Sequence, residues 1–133
     1  MDDSQEHNLG ALVTQWYKKN GRQNLPWRKS VTPYKVWISE MMLQQTQVVT
    51  AQSYYRKFLK KYPSLSSMKM ATEDDILSLW SGLGYYRRAS FIYQAKEKIF
   101  LDFNGRFPTT YDELITLPGI GRSTAGAILS IAY

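Results

Sequence analysis

The stretch LPGIGRSTAGAIL, residues 117–129, places two glycines around one apolar residue just before a helical pattern restarts. Pro118 marks the end of a preceding helix, because its ring cannot continue the hydrogen-bond ladder. We expect Gly119 and Gly121 to adopt positive φ values and to permit close backbone approach. Four residues then recur at helical spacing: Ala125, Ile128, Leu129 and Ala132. The stretch therefore predicts a helical hairpin.

The start of the second hairpin helix is a candidate anion site. The first N–H groups of a helix lack intrahelical partners, and the helix dipole favours negative charge there. We expect the backbone of Gly119, Gly121, Arg122, Ser123 and Thr124 to hold a phosphate, with the Arg122 side chain adding charge. A glycine turn between two core helices would show the same two glycines, so the pattern alone leaves both interpretations open.

The charge balance favours a polyanionic partner, although weakly. Seventeen Lys and Arg against eleven Asp and Glu give a formal charge of +6. A solvated lysine face would look the same, whereas ten Tyr and four Trp add rings that can stack on bases. At 133 residues the chain fits one domain with a sizeable core.

Several function classes are disfavoured by what the sequence lacks. It contains no cysteine, and its single histidine, His7, stands in a polar segment. We therefore predict no metal site within these residues. The start, MDDSQEHN, does not resemble a signal peptide, and no apolar run is long enough to span a bilayer. An intracellular protein without a membrane partner is expected.

The periodicity predicts an all-α fold, because no segment alternates apolar and polar residues for long. A first helix is expected over residues 9–20. Further helices are predicted from the apolar spacing along Tyr34–Met41, Tyr54–Tyr62, Ile76–Trp80 and Tyr85–Phe103. Thr72 resembles an N-cap, and Thr110 with Glu113 forms a capping-box pattern for a short helix reaching Leu117.

Glu40 interrupts an apolar surface and is the main candidate for chemistry. On a helix its neighbours at i−4, i−3, i+3 and i+4 are mostly apolar: Val36, Trp37, Leu43 and Gln44. Burial disfavours the charged carboxylate and raises its pKa, as a general acid near neutral pH requires. A glutamate that reaches solvent, or pairs with an arginine, would be an equally ordinary outcome.

Three separated strings point to one family. They are PYKVWISEMMLQQTQV at 33–48, LWSGLGYYRRA at 79–89 and LPGIGRSTAGAIL at 117–129. Together they resemble adenine DNA glycosylases of the MutY type, in the endonuclease III superfamily. The resemblance implies an all-α helix-hairpin-helix glycosylase domain, a six-helix barrel over residues 26–133 that is incomplete at its C-terminus. Residues 1–8 would form a polar tail, and residues 9–25 a helix and connection that pack on a cluster domain.

The resemblance also implies base excision repair of double-stranded DNA with adenine opposite 8-oxoguanine or guanine. Glu40 would match the acid that protonates the adenine, and protonation turns a poor leaving group into a neutral one. Gln45 and Tyr85 would insert into the duplex when the adenine is extruded, with Gln44 and Thr46 contacting DNA beside them. Without the resemblance, Gln45 would be a surface amide and Tyr85 a core ring. The LPWR segment, with Trp27 and Arg28, would edge the base pocket.

Ser123 stands where glycosylases with lyase activity carry a lysine that forms a Schiff base. A serine cannot form one, so it either supports the reacting nucleotide or caps the hairpin helix. The family's catalytic aspartate, its C-terminal domain and the four cysteines of its [4Fe–4S] cluster have no counterpart here. We therefore expect an N-terminal piece of a longer, cluster-bearing protein, inactive alone and able to dimerise through its first helix. Excision of another base, such as thymine opposite guanine, and a non-catalytic DNA-binding module are the alternatives.

Overall fold

A computed structural model describes residues 31–133, which form six α-helices and one 3₁₀ turn. The helices are α1 (Pro33–Leu43), α2 (Val48–Lys61), α3 (Glu73–Leu79), α4 (Arg87–Asp102), α5 (Tyr111–Leu114) and α6 (Arg122–Ala132), and the 3₁₀ turn is Ser66–Met68. No strand occurs over this range, so the all-α prediction is confirmed. The predicted tail, first helix and LPWR residues lie outside the described part of the chain and stay predictions.

Helix α1 forms the centre of the fold. Nine of its eleven residues are buried, and it packs against α2, α4 and α6. A helix that is apolar on all sides has to be covered on all sides. It starts cleanly because Thr32 accepts a hydrogen bond from the Lys35 N–H at 3.2 Å and Pro33 occupies the first turn. The element that carries Glu40 is therefore fixed by its surroundings.

Aromatic rings pack between the segments that surround α1. Trp37 on α1 packs against Phe107, with ring centroids 5.5 Å apart. Phe58 on α2 meets Trp80 edge-on at 6.5 Å, so the end of α3 is joined to α2. The N-cap predicted at Thr72 is confirmed, and a complete capping box with Asp75 accompanies it.

The short helix before the hairpin differs from its prediction. Thr110 accepts from the Glu113 N–H, but the Glu113 carboxylate accepts from the Thr110 hydroxyl at 3.0 Å, so only half of the predicted box forms. Helix α5 ends at Leu114 and not at Leu117. Bonds from Thr116 N–H to Glu113 and from Leu117 N–H to Leu114 span three residues, which tightens the chain into a turn ahead of the hairpin.

Candidate active site

Glu40 is enclosed in the middle of α1. The residue is 1 % exposed, and its Oε1 atom has no hydrogen-bond partner among residues 31–133. The neighbouring Ser39 hydroxyl donates to the Val36 carbonyl at 2.8 Å. Burial raises the pKa of Glu40 to about 8. Burial therefore favours the protonated form of the Glu40 carboxyl, which is the form that a general acid needs.

Gly119 fixes the hairpin against the core. Its φ is +79°, and an added Cβ would lie 2.7 Å from Cβ of Phe91 and 3.1 Å from Cε of Met41. Both the backbone conformation and the contacts exclude a side chain there. The hairpin turn therefore packs directly on α1 and α4, and the predicted positive φ is confirmed at this glycine.

The positive φ predicted for Gly121 is wrong. Its φ is −98°, an ordinary extended value, and an added Cβ would meet nothing within 4 Å among the residues that the structure describes. Neither backbone strain nor crowding by these residues calls for a glycine. Gly121 is the N-cap of α6, and no side chain of residues 31–133 forms a capping hydrogen bond with it. The space beside the Gly121 Cα at the start of α6 is open in this part of the chain.

The first turn of α6 spreads its side chains in different directions. Arg122 is exposed, and Ser123 is half-buried. Thr124 is 4 % exposed, and its hydroxyl accepts from Nε2 of Gln44 at 3.5 Å. The Thr124 side chain therefore faces the end of α1. The DNA contact predicted for Thr124 therefore concerns its backbone amide and not its side chain.

Gln45 lies just after α1 and Tyr85 just before α4, and both share a backbone conformation that side chains rarely adopt. Their φ values are +55° and +53°, and both side chains are exposed, with Tyr85 59 % exposed. The core-ring alternative for Tyr85 is therefore wrong. Such strain at exposed positions is typical of functional sites.

Both residues border one cleft of about 240 Å³. It is lined by Gln44, Gln45, Tyr85, Arg87, Arg88, Phe91 and Gly119. The cleft thus brings the loop after α1, the loop before α4 and the hairpin to one place. Met41 and Met42, in contrast, are buried in the core.

Arg88 is the site residue that the sequence did not reveal. It is 6 % exposed and donates hydrogen bonds to both loops of the cleft. In the sequence it belongs to a basic pair that resembles an ordinary solvated surface. A signal was present, because Arg88 lies four residues before Ile92 on the apolar face of α4.

Residues 31–133 do not supply a metal site. No group of three or more His, Asp or Glu lies close enough to hold an ion in this part, and the sequence has no cysteine for a thiolate ligand. These residues therefore do not fit the ligand set of an iron–sulfur cluster. Over the same range no helix is long and apolar enough to cross a membrane.

The fold and site together define a class of protein. Helix α1 carries the buried Glu40 carboxyl and leads into the cleft that Gln45, Tyr85 and Gly119 of the hairpin line. This combination suits acid chemistry on a bound polyanion. Residues 38–128 match the family described as HhH-GPD superfamily base excision DNA repair protein. The chain belongs to this superfamily.

Two relatives of high sequence identity are both named adenine DNA glycosylase. An adenine DNA glycosylase of Buchnera aphidicola subsp. Schizaphis graminum is 56% identical over 124 residues, covering 93% of this chain and 36% of that protein. The adenine DNA glycosylase of Homo sapiens is 41% identical over 133 residues, covering 93% of this chain and 24% of that protein. The chain thus spans a quarter to about a third of the length of these relatives.

Solved structures share the fold. A thermostable thymine-DNA glycosylase superposes with a TM-score of 0.71 at 23% identity, over 98% of this chain and 60% of that one. Endonuclease III in a non-covalent DNA complex gives a TM-score of 0.70 at 20% identity, over 96% and 60%. At this identity the likeness establishes the helical glycosylase fold and nothing finer.

Proposed function

We propose that this chain is the acid-bearing part of a DNA glycosylase that removes adenine from pairs with 8-oxoguanine or guanine. The observation that carries the proposal is the buried Glu40 carboxyl, whose Oε1 has no described partner and whose pKa burial raises to about 8. A domain that only held DNA would gain nothing from such a group. The names of the relatives support adenine as the base.

In this proposal Glu40 acts as the general acid. An adenine anion is a poor leaving group, and protonation of a ring nitrogen lets the base depart as a neutral molecule. The glycosidic bond then breaks with oxocarbenium character at the sugar, which water attacks. General acid catalysis contributes ~10²–10⁴-fold in typical enzymes, and more where departure depends on the proton.

The remaining residues position the duplex. The backbone at Gly119, Gly121 and the start of α6 would hold a phosphate, with Arg122 adding charge. Gln45 and Tyr85 would insert into the stack when the adenine leaves it, since extrusion leaves a gap to be filled. Gln44 and Thr46 lie next to Gln45 and would contact the strand beside it. Trp27 and Arg28 would edge the base pocket.

Residues outside this chain would complete the enzyme. Glu40 serves the departing base in this proposal, and the resemblance implies a separate aspartate, with no counterpart in this chain, that stabilises the positive sugar. A [4Fe–4S] cluster in the whole protein would likewise be held by other residues, because this chain has no cysteine. No step of the proposed reaction uses the cluster.

The test compares matched duplexes with the intact protein. We expect release of adenine opposite 8-oxoguanine and guanine, no release of thymine opposite guanine, and an abasic strand left uncut. Ser123 provides no amine, so borohydride should trap no covalent adduct. Exclusive thymine release would favour the alternative specificity, and duplex binding without any base release would favour the non-catalytic module. Strong trapping would refute the hydrolytic mechanism.

A further inference from the structure

The Arg88 guanidinium joins the loop after α1 to the loop before α4. Its Nη1 donates to the carbonyl oxygens of Met41, Met42 and Gln44 at 2.8, 2.9 and 2.6 Å. Its Nη2 donates to Oγ1 of Thr46 at 3.1 Å and to the Gly84 carbonyl at 3.0 Å. One buried side chain therefore contacts both sides of the cleft.

The acceptors of Arg88 are suited to a cation. The last carbonyls of a helix lack intrahelical partners and carry the negative end of its dipole, and Met41 and Met42 lie in the last turn of α1. The guanidinium also lies 5.3 Å from the Trp80 ring centroid and 5.5 Å from that of Tyr85. None of its partners within residues 31–133 is a carboxylate.

These bonds flank the two strained residues. Gln44 and Thr46 stand on either side of Gln45, and the Arg88 Nε donates to the carbonyl of Tyr85 itself at 3.3 Å. A left-handed backbone at a residue with a Cβ persists only when its surroundings hold it. The cluster around Arg88 provides such surroundings for Gln45 and Tyr85 at once.

We propose that Arg88 is a positioning residue that holds Gln45 and Tyr85 at one fixed separation, so that both side chains enter the duplex as a unit. The inference rests on the extrusion step of the proposed function. A lysine cannot replace Arg88, because its ammonium concentrates three donors at one point and cannot reach both loops.

Base extrusion can be followed without bond cleavage. In the intact protein, the fluorescence of 2-aminopurine placed opposite guanine rises when that base leaves the stack. We expect Arg88→Lys to lower the extruded fraction about 10-fold, the scale of one charge-assisted contact. Gln45→Ala and Tyr85→Ala should each lower it too. Combined with either alanine variant, Arg88→Lys should cost clearly less than the product of the single losses, because the residues act through each other.

Lys96 offers a matched control. It is 1 % exposed and its ammonium donates to the carbonyl of Ala71 at 2.9 Å, on residues that do not line the cleft. Lys96→Met should lower the melting temperature as Arg88→Lys does, but should leave extrusion unchanged at temperatures where the protein is folded. If Arg88→Lys does not fold, Thr46→Val replaces it, since this change removes one Arg88 contact and keeps the side-chain shape.

Each outcome decides the inference. Non-additive losses with both alanine variants, and none with Lys96→Met, would support it. Additive losses, or an unchanged extruded fraction in Arg88→Lys, would overturn it. No fluorescence rise with the wild-type protein would also overturn it. Adenine release in the duplex assay would still uphold the proposed function in that case, so the two failures are distinguishable.

Discussion

At the scale of single residues, burial changes which protonation state of a side chain is stable. Glu40 has an enclosed carboxyl whose Oε1 has no partner in the described part of the chain, so its neutral form is the stable one. Arg88 is also buried, yet its donors face carbonyl oxygens, and it stays cationic at neutral pH because burial lowers its pKa only to about 10. The free-energy cost of burying a charge is offset by carbonyl acceptors in Arg88, whereas Oε1 of Glu40 has no such partner among residues 31–133.

Glu40 should make the fold less stable as pH rises. The carboxyl has an ordinary pKa of 4.5, and burial raises the pKa of Glu40 in the folded protein to about 8. Between these values the folded state binds one proton more than the unfolded state, so the free energy of unfolding falls by up to about 1.4 kcal/mol per pH unit. Above the folded pKa the loss is complete.

Glu40→Gln removes this titration. Urea unfolding of the intact protein should show the variant gaining on the wild type from pH 5 to pH 8. The gain is expected because the amide has no proton to lose and is nearly isosteric. A stability difference that stays constant over this range would contradict a protonated buried carboxyl.

Glu40 and Arg88 also show what the sequence can and cannot predict about single residues. The burial of Glu40 followed from its helical neighbours, which are local in the chain. Arg88 was missed because its acceptors at Met41 and Gln44 lie 47 and 44 residues away. The residue spacing within α4 does not indicate those distant partners. An arginine next to another arginine also resembles an ordinary pair of surface charges.

At the scale of elements, the hairpin and α1 depend on each other. Gly119 packs on Met41 of α1, and Thr124 of α6 accepts from Gln44 at the end of α1. Both glycines of the hairpin look alike in the sequence, but Gly119 is required by its φ and its neighbours. Gly121 is required by neither within residues 31–133, which makes it a suitable position for testing the proposed phosphate contact.

This difference makes Gly121 a clean probe of the hairpin. Gly121→Val should fold, since its φ suits valine and an added Cβ meets nothing within 4 Å among residues 31–133. The added methyl groups should keep a phosphate away from the start of α6 and lower affinity for an undamaged duplex about 10-fold. Fluorescence anisotropy titrations at two salt concentrations measure this loss.

Gly126→Val is the matched control. Gly126 lies on the same helix, and an added Cβ there also meets nothing within 4 Å in the described part of the chain. The control should bind DNA like the wild type and retain its steep salt dependence. Equal affinity of both variants would refute phosphate binding by the hairpin backbone.

At the scale of the whole molecule, helices distant in the chain meet at one cleft. The loop after α1, the loop before α4 and the hairpin after α5 all border it. The fold class followed from periodicity, because each helix carries its own apolar spacing. The cleft could not be predicted in this way, since it depends on the turn at Gly119 and on the arginine that joins two loops.

Protonation of the leaving adenine by Glu40 is the step on which the proposed mechanism depends. The direct measurement is single-turnover release of adenine opposite 8-oxoguanine by the intact protein, its Glu40→Gln variant and this chain alone. The variant should bind the duplex like the wild type and release adenine at least ~10²-fold more slowly, because an amide cannot donate the proton. The chain alone should show no useful turnover, because the family's aspartate that stabilises the sugar cation has no counterpart in it. Release by Glu40→Gln at the wild-type rate would contradict the account.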